Sequence, residues 1–361
     1  MKIIHILPAT RTSGGITLLQ NILLNLKSNI IHQIWVGKIY EDIYFHNTDL
    51  VLTKHSSFRN FFKILGKLKE ENKKNTLIHI HGRNGFFVFL AAKIMDFKII
   101  YQSHGYYYKL STRKLFSFLQ NFIDSCLLKF SDLTIFTADG EKEFALKNYN
   151  IKQNFKVIYN RTNPSIKKVT SPIISEKLPI IYCLATSGIH QKGFNRQLTL
   201  IRNFKSCNSK FKLIHYFNFE NQFELNYLKN KIKLLGLSNH YFLKRASKNV
   251  WDKINSTGGF IISTSKYEGR NLVIQEAFHN MIPVIATDCI GQKELLKETH
   301  SFILKEDRMD QWLNVLSEAI ENKALRNKKV KKAKNWILQF GDMKVYSKEL
   351  FDCYKQVLNI K

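Results

Sequence analysis

The sequence has few residues that cross-link a chain. Its 361 residues include only five cysteines and five prolines. No two cysteines show Cys-x-x-Cys spacing, which excludes the usual zinc-binding pattern and a disulfide framework and favours a reducing compartment. The cysteines are Cys126, Cys183, Cys207, Cys289 and Cys353.

Long hydrophobic runs are also missing. No apolar stretch reaches the roughly 18 residues of a membrane-spanning helix. The best candidate, residues 86–101, is interrupted by Lys93, Asp96 and Lys98. The apolar run at the N-terminus is too short for a signal peptide. We therefore expect a cytoplasmic protein, soluble or peripheral on the inner face of the cytoplasmic membrane.

Three catalytic motifs are absent. The sequence contains no Asp-x-Asp pair, no His-Glu-x-x-His and no Gly-x-Ser-x-Gly. These absences exclude the usual metal-chelated diphosphate site and the common metalloprotease and serine-hydrolase sites. We expect no metal ion and no cofactor.

Acidic residues are scarce relative to basic ones. The chain has 56 Lys and Arg against 28 Asp and Glu, a formal charge of +28. Such a charge favours anionic partners: nucleic acid, an anionic membrane or phosphorylated substrates. A Lys-rich composition, as in proteins from AT-rich genomes, explains it equally well. The basic run at residues 323–334 has the spacing of a solvated helix face, so nucleic acid is not an expected partner.

Short apolar segments alternate with amphipathic ones along the whole chain. This pattern is typical of doubly wound parallel α/β sheets, and the length favours two such domains. A Pro-, Ser- and Thr-rich stretch at residues 163–179 is the best linker. The predicted strands are residues 2–7, 34–36, 50–52, 76–81, 98–102, 133–136, 156–158, 180–184, 211–216, 241–243, 259–262 and 283–286.

The richest segment in candidate site residues is 263–296. Glu268 follows a predicted strand, and Glu276 lies eight positions later on a predicted helix, so both can face the carboxyl end of a sheet. Lys192 and a helix that opens at Gly14-Gly15 suit a diphosphate, whereas a carboxylate suits vicinal hydroxyls. Together they favour a nucleotide sugar. A retaining glycosidase would also pair two carboxylates, at a gap that the sequence does not define.

Two further features concern the first half. His81 and His104 both fall where predicted strands end, although a lone histidine is more often structural. Residues 106–130 mix aromatic residues with lysines. They predict either a domain helix with a solvated basic face or a surface for anionic lipid or a lipid-linked acceptor.

The run TSKYEGRNLVIQEAFHNMIPVIATDCIGQKEL, residues 264–295, resembles the donor-site signature of the family-4 retaining glycosyltransferases, the glycosyl transferases group 1. Further matches follow in family order at Gly14-Gly15, His104-Gly105, Asn160 and Lys192-Gly193, so the resemblance covers residues 1–340. It implies two Rossmann-like domains facing a central cleft, the GT-B architecture. Residues 1–165 would form the acceptor-side domain and 166–340 the donor domain, with a helix in 341–361 packing back on the first.

The resemblance also implies roles for individual residues. Glu268 would contact the transferred sugar, Lys192 would neutralise the diphosphate, and His104 would lie beside the reacting sugar. Glu276 would bind the ribose hydroxyls. The remaining donor-binding residues would be Gly14, Gly15, Gly269, Arg270, Asn271 and Leu272.

Three positions depart from the family pattern. Ser187 stands where an arginine is common, so His190, Arg196 or Arg270 would have to supply the charge. Glu-Gly-Arg-Asn replaces Glu-Gly-Phe-Gly at 268–271, which alters the sugar pocket. Asn160-Arg161 replaces Asn-Gly and would place a cation near the cleft.

We therefore expect a metal-independent retaining glycosyltransferase. It would move a sugar from a nucleotide-diphosphate donor to a glycan or lipid-linked acceptor of surface polysaccharide, lipopolysaccharide or capsule, in peripheral contact with anionic membrane. The alternatives are a nucleotide-sugar epimerase or phosphorylase of the same fold, and a non-catalytic protein that binds polyanions or lipid.

Overall fold

The chain divides into two compact units. Unit 1 comprises Met1–Arg161 and Asp342–Lys361, and unit 2 comprises Thr162–Gly341. The sequence placed the corresponding boundaries at residues 165/166 and 340/341. The computed structural model describes all of the chain except residues 11–13, 27–29, 41–42, 56, 105–113, 150, 152–153, 164–177, 186–187, 209, 218–220, 246–248 and 361.

Unit 1 is built on a seven-stranded parallel sheet with strand order β3-β2-β1-β4-β5-β6-β7. Its central strands are buried on both faces, which explains why they appear in the sequence as nearly continuous apolar runs, whereas the two edge strands are partly exposed. The strands are β1 (Lys2–Leu7), β2 (Ile31–Val36), β3 (Thr48–Leu52), β4 (Thr76–His81), β5 (Lys98–Gln102), β6 (Leu133–Phe136) and β7 (Phe155–Val157).

Helices cover this sheet, and the C-terminal helix of the chain is one of them. Tyr346 and Tyr354 on that helix are fully buried, and their hydroxyls bond to Gln102 and His79 of the sheet at 2.9 and 2.8 Å. The helices of unit 1 are α1 (Gly14–Asn25), α2 (Phe61–Lys69), α3 (Phe86–Ile94), α4 (Lys114–Phe130), α5 (Asp139–Tyr149) and, at the C-terminus, α12 (Met343–Leu358).

Unit 2 repeats the same plan with a six-stranded parallel sheet of order β10-β9-β8-β11-β12-β13. Its strands are β8 (Ile180–Leu184), β9 (Lys212–Phe217), β10 (Tyr241–Arg245), β11 (Phe260–Ser263), β12 (Val284–Thr287) and β13 (Phe302–Leu304). Its helices are α6 (Phe194–Cys207), α7 (Gln222–Leu234), α8 (Val250–Thr257), α9 (Leu272–His279), α10 (Trp312–Glu321) and α11 (Lys323–Phe340).

Most predicted elements are confirmed within a few residues, but two were missed and one was too long. Helix α5 has little amphipathic character, and β13 has only three residues, so neither gives a periodic signal. Helix α5 provides the crossover that the parallel strands β6 and β7 need. Strand β13 extends the second sheet past β12. The basic amphipathic pattern at residues 58–74 predicts one helix, but α2 ends at Lys69; beyond it, the Asn72 side chain accepts the Lys74 N–H and favours a turn.

The strand order determines where the loops that carry the candidate site residues lie. In each unit the order reverses beside the first strand, between β1 and β4 and between β8 and β11. Loops that follow these strands leave the sheet at the same edge and on opposite sides, which opens a crevice for ligands. None of the described helices is long and apolar enough to cross a membrane.

Candidate active site

Lys192 and Glu268 form an ion pair at the reversal point of unit 2. Lys192 lies in the loop after β8 and Glu268 in the loop after β11, and these strands are neighbours in the sheet. The Lys192 Nζ lies 2.7 Å from the Glu268 Oε1. Both residues line a pocket together with Ser263, Ser265 and Asn271. The structure thus brings together two of the three predicted catalytic residues.

The Glu268 carboxylate is held in one orientation. The Ser265 hydroxyl donates to the same Oε1 at 2.6 Å, and the backbone N–H of Glu268 donates to the Ile290 carbonyl. The side chain of Glu268 is nearly buried. Because both side-chain donors use Oε1, Oε2 has no partner among the described residues. It is therefore available to a ligand hydroxyl.

Two glycines allow the loops to approach each other closely. A Cβ at Gly193, where φ is +63°, would lie 2.0 Å from the Thr264 carbonyl oxygen. A Cβ at Gly291, where φ is +77°, would lie 2.0 and 2.2 Å from the carbonyl oxygens of Glu268 and Gly269. Only glycine fits at these points, so they fix the positions of the Lys192 loop and the Glu268-Gly269 turn.

Arg270 and Asn271, which depart from the family pattern in the turn after Gly269, both have side chains that contact other residues of unit 2. The Arg270 guanidinium stacks on Phe340 at 4.5 Å from the ring centre and pairs with Glu294 at 3.4 Å, and its side chain is 2% exposed. This packing removes Arg270 from the candidates for the missing cation, although its backbone N–H still lies at the turn. Asn271 instead caps α9, where it accepts the Ile274 N–H and donates to Gln292 Oε1 at 2.8 Å.

Glu276 lies on α9, which begins at Leu272, and its carboxylate has one side-chain donor. Trp251 Nε1 on α8 donates to its Oε2 at 2.9 Å. Burial raises the pKa of Glu276 to about 7, and the Trp251 bond offsets part of that shift. Oε1 has no partner among the residues that the structure describes. Trp251 was missed from the sequence, because an indole on another helix leaves no local signal.

Cations gather beside the ion pair. The His190 Nε2 lies 3.3 Å from the Lys266 Nζ, and Arg196 pairs with Glu306 at 2.5 Å. Burial lowers the pKa of His190, with further contributions from the charges of Lys266 and Arg196. Lys266 was missed, although its place two residues before Glu268 was visible in the sequence. Lys192, Lys266 and Arg196 are suited to an anion such as a diphosphate, beside a neutral His190.

The remaining predicted residues lie in unit 1. Gly15, on the first turn of α1, lines a pocket with His81, Gly82 and His104, at the reversal point between β1 and β4. Gly14 is the first residue of α1, and the N–H groups of a first helical turn lack intrahelical partners. His104 Nε2 lies 3.4 Å from His81 Nδ1.

Arg161 occupies the third unusual position. It is buried and pairs with Glu349 on α12 at 3.1 Å, so it is held within unit 1. Ser187, Gly105 and residues 164–177 of the predicted linker lie outside the described residues.

The chain matches two sequence families. The family described as Glycosyl transferases group 1 matches residues 168–336, and Glycosyltransferase Family 4 matches residues 37–165. The boundary between the matches lies next to the division between the two units. A search of curated protein sequences gives no significant match.

Solved structures show the same architecture at low sequence identity. Sucrose-phosphate synthase from Thermosynechococcus elongatus superposes with a TM-score of 0.83 at 13% identity, over 99% of this chain and 100% of that one. HepE from Anabaena, in complex with UDP-glucose, gives 0.81 at 16% over 99% and 100%. The lipopolysaccharide outer core galactosyltransferase WaaB gives 0.73 at 17% over 99% and 99%.

Two Rossmann-like units of parallel strands, with polar residues at the carboxyl ends of their first and fourth strands, define a protein of the GT-B fold. The two family matches, which together span most of the chain, make the assignment more specific. Residues 168–336 form a group 1 glycosyltransferase domain, residues 37–165 match Glycosyltransferase Family 4, and the protein is a glycosyltransferase.

Replacing Gly291 tests the close contact with the Glu268-Gly269 turn. Gly291→Ala places a Cβ against two carbonyl oxygens, whereas Gly236→Ala, at a similar φ of +65°, meets only the Lys205 Nζ at 3.7 Å. We expect Gly236→Ala to cost about 1 kcal/mol of unfolding free energy from backbone strain alone. Gly291→Ala should cost at least about 2 kcal/mol more. Urea unfolding of both variants measures the difference, and equal costs would contradict this account of the turn.

Proposed function

We propose that the protein transfers a sugar from a nucleotide-diphosphate donor to a glycan or lipid-linked acceptor of a surface polysaccharide or lipopolysaccharide. The anomeric configuration is retained, and no divalent metal takes part in the transfer. The observation that carries the proposal is the Lys192–Glu268 pair at 2.7 Å. It combines a cation for a leaving diphosphate with an oriented carboxylate for a sugar hydroxyl.

The proposed chemistry needs positioning and charge more than a nucleophile. Lys192, with Lys266 and Arg196 nearby, stabilises the negative charge that develops on the departing diphosphate. The first N–H groups of α9 add a positive helix end beside the same turn. Glu268 Oε2 accepts a hydroxyl of the transferred sugar and fixes its orientation. The acceptor hydroxyl attacks from the face that the diphosphate leaves, and a donor phosphate oxygen takes its proton.

Glu276 serves the nucleotide. Its carboxylate has Oε1 available and lies one helical turn beyond the N-terminus of α9, at the same end of the sheet as Lys192. A carboxylate in this position accepts hydrogen bonds from the ribose hydroxyls. HepE, which has the same fold, was solved with UDP-glucose, so UDP-glucose is the first donor to test.

The acceptor side includes a surface for a membrane. On α4 the side chains of Phe118, Leu119 and Phe122 are 75%, 57% and 55% exposed. They lie at helical spacing on one face of a protein whose formal charge is +28. Exposed aromatic residues together with a strong positive charge favour binding to anionic lipid, where a lipid-linked acceptor would be held.

Lys192→Ala tests the role of the leaving-group cation. We expect turnover to fall by about 10²–10³-fold, since one charged donor to the transition state is lost, while donor affinity falls less than about tenfold. The assay measures nucleoside diphosphate release from a panel of nucleotide sugars with acceptor, without added Mg²⁺ or Mn²⁺. Lys205→Ala, on the same unit and bonded to the Gly236 carbonyl, is the control and should have wild-type activity.

Four outcomes would contradict the proposal, three in that assay and one in the analysis of its product. Equal losses of turnover and affinity would limit Lys192 to binding. A requirement for Mg²⁺ or Mn²⁺ would exclude the metal-independent transfer. Conversion of the donor sugar without release of nucleoside diphosphate would identify an epimerase. Inverted configuration at the product anomeric carbon, measured by NMR, would exclude retention.

The role of Glu276 predicts a pH dependence. Its pKa of about 7 means that the carboxylate becomes protonated as the pH falls from 8 to 6. The protonated acid accepts ribose hydroxyls less well, so UDP affinity should weaken about tenfold over this range relative to Glu276→Gln. Taking the ratio to Glu276→Gln cancels the titration of the nucleotide phosphate. Calorimetry at several pH values measures the two UDP affinities. A ratio of affinities that does not change with pH would show that Glu276 does not bind the nucleotide.

The α4 surface can be tested with vesicles. Wild-type protein should co-sediment with phosphatidylglycerol vesicles and less with phosphatidylcholine vesicles, and the attraction should weaken with salt. The double substitution Phe118→Ser, Phe122→Ser should lose most of this binding. Phe223→Ser removes an 82% exposed aromatic residue from unit 2 and should bind as the wild type does. If all three proteins bind equally, α4 is not the membrane surface.

A further inference from the structure

A cluster of histidines lies inside unit 1, next to the predicted site residue His104. His5 on β1 and His79 on β4 are register partners, and His81 follows two positions along β4. Side chains two residues apart on a strand share one face. All three imidazoles therefore meet on the same side of the sheet, where α12 covers them. They are 0%, 0% and 6% exposed.

The spacing of the ring nitrogens fits a metal ion. One nitrogen from each of His5, His79 and His81 lies within 4.8 Å of the others. The His5 Nδ1 and the His81 Nε2 are 3.2 Å apart. Two nitrogens bound tetrahedrally at about 2.0–2.1 Å from zinc are separated by about 3.3 Å. The third nitrogen is that of His79, whose Nε2 is buried beside Gln102 and makes no hydrogen bond of standard geometry among the described residues.

Each of these histidines also has a partner for its other nitrogen. His79 Nδ1 lies 2.8 Å from the Tyr354 hydroxyl, and His5 Nε2 lies 3.1 Å from His32 Nδ1. His81 Nδ1 lies 3.4 Å from His104 Nε2. If each of the three rings donates its N–H to these partners, each presents a lone pair to the common centre. Histidines that bind metals are usually oriented by such outer hydrogen bonds.

A metal-free arrangement accounts for the cluster less completely. His104, His81, His5 and His32 can form a chain of N–H···N bonds, but among the described residues His79 Nε2 then has only Gln102 beside it and no hydrogen bond of standard geometry. A metal ion would engage this nitrogen.

We propose that His5, His79 and His81 bind one transition-metal ion of the kind that favours imidazole nitrogen, with Zn²⁺ as the first candidate. A water molecule completes the coordination, as is usual for zinc held by three protein ligands. The ion enters through the pocket that Gly15, His81 and His104 line at the end of the sheet. It ties β1 and β4 to the Tyr354 side chain of α12 and so stabilises unit 1.

This site is separate from the transfer proposed above. Mg²⁺ and Mn²⁺ prefer oxygen ligands, whereas three imidazoles select Zn²⁺, Co²⁺, Ni²⁺ or Cu²⁺. Sugar transfer without added Mg²⁺ or Mn²⁺ and a bound zinc ion are therefore compatible. Failure of one proposal leaves the other standing.

Metal binding can be measured directly on the full-length, tag-free protein. After removal of metals by chelation, titration with Co²⁺ should reach one ion per chain and give the visible absorption bands of four-coordinate cobalt. Zn²⁺ should displace the cobalt and raise the melting temperature, because it binds only the folded state. Failure to bind Co²⁺ or Zn²⁺ at one equivalent would overturn the proposal.

Substitutions locate the site. His79→Gln and His5→Gln should abolish the cobalt spectrum and the rise in melting temperature, while His46→Gln, an exposed histidine of the same unit, should change neither. Tyr354→Phe keeps all three ligands and removes only the acceptor of His79 Nδ1, so Zn²⁺ affinity should fall about 10–100-fold. Circular dichroism checks folding. Unchanged affinity in Tyr354→Phe, or one ion per chain bound by folded His79→Gln, would contradict the assignment.

Discussion

Parallel pairing of neighbouring strands is the constraint on which both halves of the molecule depend. Because β8, β11 and β12 run side by side in one direction, the loops after them end at one edge, and Lys192, Glu268 and Gly291 meet there. In unit 1, β1, β4 and β5 bring Gly15, His81 and His104 to one pocket in the same way. Residues more than 70 positions apart become neighbours without any local sequence signal.

Much of this arrangement could be predicted because its determinants are local. Strands buried on both faces are apolar runs, and β4, β5, β6 and β8 were predicted with their observed bounds. The family pattern from Gly14-Gly15 to Glu276 follows chain order, so the resemblance implied a role for each matching residue before any coordinates. Spacing also predicted which loop carries which charged residue.

The remainder depends on side-chain directions across elements that are distant in sequence. Trp251 reaches Glu276 from another helix, and Tyr354 reaches His79 across 275 positions. Neither contact follows from a periodicity or a motif. The sequence indicated that His81 and His104 end strands, but nothing in it singled out His5 and His79. Only the register of β1 with β4 shows that they face each other.

The unusual turn Glu-Gly-Arg-Asn shows how departures from a family pattern are accommodated. An arginine and an asparagine in place of Phe-Gly would add new groups to a sugar pocket if their side chains pointed outward. Here the Arg270 guanidinium pairs with Glu294 and packs on Phe340. The Asn271 side chain caps α9 and donates to Gln292. Both side chains therefore hold the turn through contacts with the interior of unit 2. Under the proposed function, selectivity for the sugar would then come from Glu268, from the backbone of the turn and from the groups around Lys192, so substitution of Arg270 should affect the stability of the turn before it affects the choice of donor.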